Sequence, residues 1–260
     1  MGKADLHIHT AYSYDGTATV AAVLEHVTHH TDLDVIAITD HDEIDGALEA
    51  VELAPRYGVE VIPGIEISTA EGHLLALFVK KIVPPNLSLI ETVQRVAELG
   101  GVCVAAHPGG RWSWCLSEAA IRRALAYPGL ARTLLGLEIY NLSLPDLRLN
   151  AKAAKMNKDL ALANVANSDA HMLWMIGLAA TSFPGNKAAH LRAALSQRTT
   201  TTVTVRRPGY YIASFLKGQI LRQCGLVVHC PSITPGGQMA LRRLAAAQRW
   251  PQANRPIMAK

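Results

Sequence analysis

His7 and His9 stand one residue apart in ADLHIHTAYSYDG, residues 4–16, inside an otherwise apolar run that Asp15 follows closely. Residues i and i+2 of a β-strand project to the same face, so both imidazoles can reach one ion. A lone strand histidine is more often a hydrogen-bonded core residue, and the pair alone decides nothing. The same kind of residue recurs, however. Asp40 and His41 end AITDH, Glu66 lies in PGIEIST, His107 ends VCVAAH, Glu138 lies in GLEIYN, and Asp169 and His171 end NSDAH. His73 alone opens its run, HLLALFV. Buried carboxylates and imidazoles that converge in one place are costly unless they are paired or hold a metal. A mixed imidazole and carboxylate set without thiolates suits Mn²⁺, Zn²⁺ or Fe²⁺.

The elements that must bring these residues together are legible as alternating patterns. Residues 4–10, 34–40, 59–69, 73–79, 102–107, 136–141 and 160–171 are apolar runs that read as strands. Segments of helical period lie between most of them, at 19–30, 45–57, 87–99, 117–126 and 145–159. Strands without polar alternation are buried on both faces, as parallel strands flanked by helices are, and the fold class is α/β. About seven such strands suit a closed or nearly closed barrel, whose active site lies at the C-terminal strand ends. All the donors but His73 lie at or near those ends. The short EGH link before HLLALFV is too tight for a helical crossover and implies a hairpin.

Half of the 260 residues are apolar, enough for one domain with a large core. The first residues do not follow a signal-peptide pattern and no apolar run reaches the roughly 18 residues of a spanning helix, so the expected location is cytoplasmic, with no membrane contact. Cys103, Cys115, Cys224 and Cys230 contain no CxxC pair and read as reduced packing residues. His26, His29, His30, His190 and His229 fall on helix candidates or in the tail and read as solvated. Charge is unevenly spread. All 21 acidic residues and 13 of the 25 Lys and Arg lie at or before Asp169, which gives −8 up to that point and +12 beyond it. A cationic segment beside an acidic site attracts phosphate-bearing ligands. TTTTVTV (199–205) is strand-like, the stretch after it reads as a helix behind a Pro-Gly turn, and residues 231–250 read as a loop and a short basic helix. The expected organisation is a barrel over 1–205. Residues 206–260 form a basic C-terminal helix and tail that extend the same domain, with the last dozen residues disordered.

In order and spacing, HIHTAYSYDG, AITDHDEIDG, PGIEIST, GHLLALF, AAHPGG, GLEIYN and NSDAH resemble the motifs of the polymerase and histidinol phosphatase (PHP) superfamily of metal-dependent phosphoesterases, over roughly residues 4–200. The resemblance implies a distorted (β/α)7 barrel with two or three divalent ions at its C-terminal rim. By similarity His7, His9, Glu66 and Asp169 hold one ion. Glu66 bridges to a second held by His73 and His107, and Asp15, His41 and His171 hold a third. The implied reaction is phosphate ester hydrolysis by hydroxide formed from metal-bound water, with no serine or cysteine nucleophile.

Two further residues are candidates for catalysis. Arg111 is a phosphate contact or an ordinary loop arginine, and Asp40 is an orienting carboxylate or a proton donor; Glu138 and Asn141 are candidate supports of the ligands. The expected substrate is a nucleotide or a short 5′-phosphorylated oligonucleotide, with a short single-stranded nucleic acid as a candidate ligand. The reasons are the short spacer from His107 to Glu138, which leaves an open pocket, and the acid-free C-terminal third. Trp112 and Trp114 beside the spacer either stack on a base or pack the following helix. The alternatives are a small-molecule phosphatase of the histidinol phosphate type, a metal-dependent amidohydrolase and a nonenzymatic metal or nucleic-acid module. An amidohydrolase would need a bridging lysine, for which Lys80 and Lys81 are the only mid-chain strand-end candidates. No polymerase module is expected.

Overall fold

The apolar runs form strands and the periodic segments form helices in the computed structural model, which describes residues 1–143, 146, 148–204, 209 and 211–224. In chain order the elements are β1 (Gly2–Ile8), α1 (Val20–His30), β2 (Val35–Ile38), α2 (Asp45–Leu53), β3 (Glu60–Thr69), β4 (Gly72–Leu77), α3 (Leu89–Glu98) and β5 (Val102–Ala105). Then follow α4 (Glu118–Ala126), β6 (Leu134–Asn141), α5 (Arg148–Leu160), β7 (Ala163–Asn167), β8 (Ala179–Phe183), α6 (Ala188–Gln197), β9 (Thr201–Thr204) and α7 (Tyr211–Gln223). One sheet holds all nine strands in the order β7-β6-β5-β4-β3-β2-β1-β8-β9.

Its ends approach each other and make a nearly closed barrel. The Thr181 hydroxyl of β8 accepts from Ala166 N and donates to Ala166 O of β7, at 3.0 Å each. Ala170, just past β7, bridges to β1: its N donates to His7 O at 3.1 Å, and its O accepts from His9 N at 2.9 Å. These few bonds place the end of β7 beside the end of β1. The pairs β1–β2, β2–β3, β5–β6 and β6–β7 are parallel, whereas β3–β4, β4–β5, β1–β8 and β8–β9 are antiparallel. The EGH link is therefore the hairpin that its length demands.

Two apolar layers sandwich the sheet. The larger, with Leu24, Ile38, Ile65, Val93 and Ile121, lies beneath the helices. The smaller, with Leu6, Ala37, Ile62, Leu75, Val104 and Phe183, also takes in Leu191, Ala194 and Leu195 of α6, which packs across β3, β6, β7 and β8. At the start of α3, Ser88 Oγ accepts from Glu91 N at 3.2 Å and Glu91 Oε2 accepts from Ser88 N at 3.1 Å. This reciprocal cap should make Ser88→Ala about 1 kcal/mol less stable, read from a denaturant midpoint at unchanged slope.

The seven strands and five helices read from the sequence are all present. Two elements were not anticipated, β8 (AATSF) and α6, while β9 falls within TTTTVTV. β8 offers small or hydroxylated residues and a single large apolar one, Phe183, and so carries no apolar run. Residues 231–250, the last dozen residues, His229 and Cys230 lie outside the described residues. Among the described residues Cys103 and Cys115 are buried and form no disulfide, and Cys224 is exposed. Among the described residues no helix is long and apolar enough to cross a membrane.

Candidate metal centre

Glu66 on β3 is buried, and its two oxygens divide five imidazoles between them. Oε1 lies 2.9 Å from His73 Nδ1 and 2.9 Å from His107 Nε2. Oε2 lies 3.0 Å from His7 Nε2, 3.2 Å from His9 Nε2 and 3.2 Å from His41 Nδ1. Asp169 Oδ1 adds contacts of 3.1 Å to His9 Nε2 and 3.3 Å to His7 Nε2. Asp15 Oδ2 sits 2.9 Å from His171 Nε2 and 3.4 Å from His41 Nε2. The nine side chains picked out as donors in the sequence thus meet at one rim. Their donor atoms form four overlapping groups, each within 4.8 Å: His9, Asp15, His41 and His171; His7, His9 and Glu66; His7, His107 and Asp169; and His41, Glu66 and His73.

Local backbone features aim these residues. The register of β1 against β2 slips between Asp5 and Ile8, the stretch that holds His7, and that of β6 against β7 slips between Glu138 and Tyr140. Irregularities of this kind re-aim side chains beside active sites. His107 (φ 28°) and Asp169 (φ 51°) follow strand ends in left-handed conformations, uncommon outside glycine. His73 opens its strand and still belongs to the cluster because β4 runs antiparallel to β3, which pairs His73 with Ser68 near the end of β3.

The hydrogen bonds behind the imidazoles fix which nitrogen faces inward. His7 Nδ1 lies 2.9 Å from Glu138 Oε1, and His171 Nδ1 lies 2.9 Å from the Asp169 carbonyl. A carboxylate or carbonyl oxygen only accepts, so Nδ1 carries the proton and, in the neutral ring, Nε2 presents a bare lone pair to the cluster. Among the described residues His7 Nε2, 3.0 Å from Glu66 Oε2, has no hydrogen bond of acceptable geometry, and neither do His41 Nδ1 and Asp15 Oδ1. Buried donor atoms that crowd one another without bonding are what a divalent cation would satisfy, and the donor set fits one.

Charge pairing dominates the site. Burial alone would raise the Glu66 carboxyl, but the charges of His7, His41 and His73 and the bond from His107 hold it well below the usual range. Asp15 is held well below its range by His171 and His41 against the same effect of burial. Burial alone would lower His9 and His107, but their bonds carry both up to about 10: Asp169 and Glu66 for His9, Cys115 and Glu66 for His107.

Sequence reasoning left out part of the support. Glu138 Oε1 accepts from Asn167 Nδ2 at 2.7 Å as well as from His7, and Oε2 accepts from His107 N at 2.8 Å and Asn141 Nδ2 at 3.0 Å. Asn141 Nδ2 also reaches Asp169 Oδ2 at 3.1 Å. Ser13 Oγ lies 3.2 Å from His9 Nδ1 and accepts from His41 N at 3.1 Å. Asn167 and Ser13 stand two residues before Asp169 and Asp15, and that adjacency was their one sequence signal. Every hydrogen-bond partner of Glu138 among the described residues is a donor. Glu138→Gln would place an amide N–H₂ against donors and should weaken metal affinity about 10–100-fold with the fold retained, measurable by metal titration.

Neither of the two candidates for catalysis, Asp40 and Arg111, is among the clustered donors. Asp40 is buried, accepts from Thr10 N at 2.6 Å and from the Thr10 hydroxyl at 2.7 Å, and is pushed by burial up to about 6. Both its oxygens thus hold Thr10, just past the end of β1. Arg111 is exposed in the loop after β5, with no hydrogen bond or ion pair among the described residues. On the same loop Lys152 Nζ donates to Gly109 O, a cation that the sequence reading did not single out. Trp112 and Trp114 stack on each other with ring centroids 5.1 Å apart. Tyr14, 66% exposed, stacks on His41 at 4.9 Å. Of the histidines read as solvated, His29, His30 and His190 are exposed and His26 is half-buried.

A PHP domain model matches residues 5–140, and a PHP-associated model matches residues 148–200. The chain belongs to the PHP family. It is a phosphoesterase of that family, a hydrolase acting on phosphoric esters, and its His, Asp and Glu cluster could bind metal. It is 40% identical over 116 residues to an uncharacterized protein of Methanocaldococcus jannaschii, covering 41% of this chain and 67% of that one. It is 35% identical over 100 residues to a 5′-3′ exoribonuclease of Haemophilus influenzae, covering 37% of this chain and 36% of the enzyme. It is 27% identical over 136 residues to a 3′,5′-nucleoside bisphosphate phosphatase of Chromobacterium violaceum, covering 47% of each. The matches thus span about a third to a half of those two enzymes. In fold it is similar to a two-domain protein of Bacteroides vulgatus containing a predicted PHP-like metal-dependent phosphoesterase, with a TM-score of 0.63 at 19% identity over 83% of this chain and 69% of that one.

Proposed function

We propose that this PHP-family phosphoesterase acts on a nucleotide or a short 5′-phosphorylated oligonucleotide, with two or three Mn²⁺, Zn²⁺ or Fe²⁺ ions as cofactors. The observation that carries the proposal is the division of Glu66, with Oε1 turned to His73 and His107 and Oε2 to His7, His9 and His41. A carboxylate so placed suits bridging. His7, His9, Glu66 and Asp169 would hold one ion, Glu66, His73 and His107 a second, and Asp15, His41 and His171 a third. Ions held there would neutralise phosphoryl oxygens and lower the pKa of a water toward ~7.

The residues of the chain supply orientation. Glu138 and the Asp169 carbonyl keep Nε2 of His7 and His171 turned inward, and Asp40 anchors the end of β1 through Thr10. Arg111 and Lys152, on or against the loop after His107, would meet the negative charge of the substrate. Tyr14 and the Trp112 and Trp114 pair offer flat faces on which a base can stack, and the exoribonuclease and the nucleoside bisphosphate phosphatase among the relatives support the same substrate class. The barrel over residues 1–205 would hold the site, with residues 206–260 an extension of the same domain. We place the protein in the cytoplasm.

The amidohydrolase reading needs a bridging lysine at the cluster, and neither mid-chain candidate supplies it. β4 starts at the cluster and runs away from it, so Lys80 and Lys81 follow its far end, where both are exposed. Elemental analysis of the purified protein, then phosphate release in Mn²⁺ from p-nitrophenyl phosphate, histidinol phosphate, 3′,5′-nucleoside bisphosphates and 5′-phosphorylated oligonucleotides, tests the reading. The nucleotide substrates are expected to show the highest kcat/KM. Preference for histidinol phosphate would overturn the substrate class, and chelator-insensitive hydrolysis would overturn the metal role.

A further inference from the structure

The PHP domain and PHP-associated models end at residues 140 and 200, and α7 lies beyond both. Its inner face nevertheless returns to the candidate metal centre. Gln219 Nε2 donates to the Asp15 main-chain oxygen at 3.0 Å. The Phe215 ring meets the edge of His171 with centroids 5.8 Å apart, and buried Tyr211 stacks on Phe215 at 6.2 Å. Gly218 lies against Met172, next in sequence to His171: a Cβ there would fall 2.5 Å from the end of that side chain. Positions 211, 215, 218 and 219 form one helical stripe, whereas Ile212, Leu216 and Ile220 on the other side are 62%, 55% and 60% exposed.

These contacts fall on two donors that stand outside the strands. Glu66, His7 and His73 stand on strands, where the ladder fixes the backbone. Asp15 stands on the irregular segment between β1 and α1, and His171 lies beyond the end of β7. The two are 156 positions apart in sequence and 2.9 Å apart in space. Thr17 joins their segments on the inside, donating from its N at 3.1 Å and from its hydroxyl at 2.6 Å to His171 O. α7 joins them from the outside, with Gln219 on one and Phe215 on the other.

Resting on the metal reading above, we propose that α7 is a clamp, with Gln219 and Phe215 as positioning residues that hold Asp15 and His171 for the ion of the His9, Asp15, His41 and His171 group. The other ions, which take neither Asp15 nor His171, do not depend on it. Outer-shell supports of this kind change metal affinity by about 10–100-fold.

The test uses the full chain as wild type, Gln219→Ala, Phe215→Ala and the outer-face control Leu216→Ala. Each is stripped with chelator, checked by circular dichroism melting, and titrated with Mn²⁺ followed by electron paramagnetic resonance and elemental analysis. The expected result is that Gln219→Ala and Phe215→Ala lose one Mn²⁺ per chain or bind their weakest ion about 10–100-fold less tightly. Their remaining ions and the Leu216→Ala control should match wild type. Should Phe215→Ala not fold, Gln219→Ala decides by the same titration. Wild-type stoichiometry and affinities in Gln219→Ala, or an equal loss in Leu216→Ala, would overturn the clamp. A wild-type chain that binds no Mn²⁺ would overturn the metal reading itself and, with it, the clamp.

Discussion

Glu66→Gln should abolish phosphoesterase activity while leaving the chain folded, with kcat/KM reduced about 10³-fold or more. That loss is at least as large as removing a single stabiliser of transition-state charge, because more than one ion depends on this side chain. The replacement is nearly isosteric and keeps one acceptor oxygen, so packing of a residue that is 1% exposed is preserved. The carboxylate charge that draws His7, His9, His41, His73 and His107 together is lost. A buried imidazolium without its anion is unfavourable, and these rings respond by releasing protons rather than by unfolding the barrel. The prediction therefore has two parts: loss of bound metal by elemental analysis, and a circular dichroism spectrum that matches wild type. A Glu66→Gln protein with full metal content and wild-type turnover would remove Glu66 from the centre of the mechanism.

The sequence made the donors of this site more legible than their support, for a physical reason. A buried strand has little use for a charged or imidazole side chain, so His7, Glu66, His107 and Asp169 stand out against apolar neighbours, and strand polarity says which end they share. His73 looked anomalous at the start of its run until the antiparallel hairpin placed that start beside the end of β3. The support is harder to read because Ser13, Asn167 and Thr10 are residue types that occur in any loop, and their roles come from partners far away in sequence. Asn167 binds Leu6 N at 2.9 Å across 161 positions. β8 was missed because AATSF has no apolar run, although Thr181 within it joins the ends of the sheet. α7 was recognised as a helix behind a Pro-Gly turn, but nothing in its periodicity says that Gln219 reaches Asp15.

Metal removal should abolish activity at every pH, and it should destabilise the chain more at high pH than at low pH. In the metal-free protein His9 and His107 titrate at about 10, raised by their carboxylate and thiol partners against the opposing effect of burial. In the unfolded chain an imidazole titrates near ~6.5. A group whose folded pKa is raised gives stability that is complete below the unfolded value and is lost as pH climbs to the folded one. The chelated protein should therefore lose melting temperature steadily between about pH 6.5 and pH 10. Glu66 and Asp15 act in the opposite direction: their lowered pKa values give stability that persists above the ordinary carboxylate range and is lost only in acid. They contribute no slope in this window. A divalent ion takes the place of the imidazole protons, so its affinity rises with pH and its binding offsets the lost stability. At 100-fold excess over Kd, one ion adds about 2.7 kcal/mol, and a chain of this size gains roughly 2–4 °C per kcal/mol. The gap between Mn²⁺-loaded and chelated melting temperatures should thus be on the order of 5–10 °C for each ion bound at saturation, and it should widen from pH 6.5 to pH 9. Scanning fluorimetry at three pH values, with and without chelator, measures it. A gap that stays constant or narrows with rising pH would mean that protons and ions do not share these imidazoles, and the cluster would then have to be read as an ion-pair network of the fold itself.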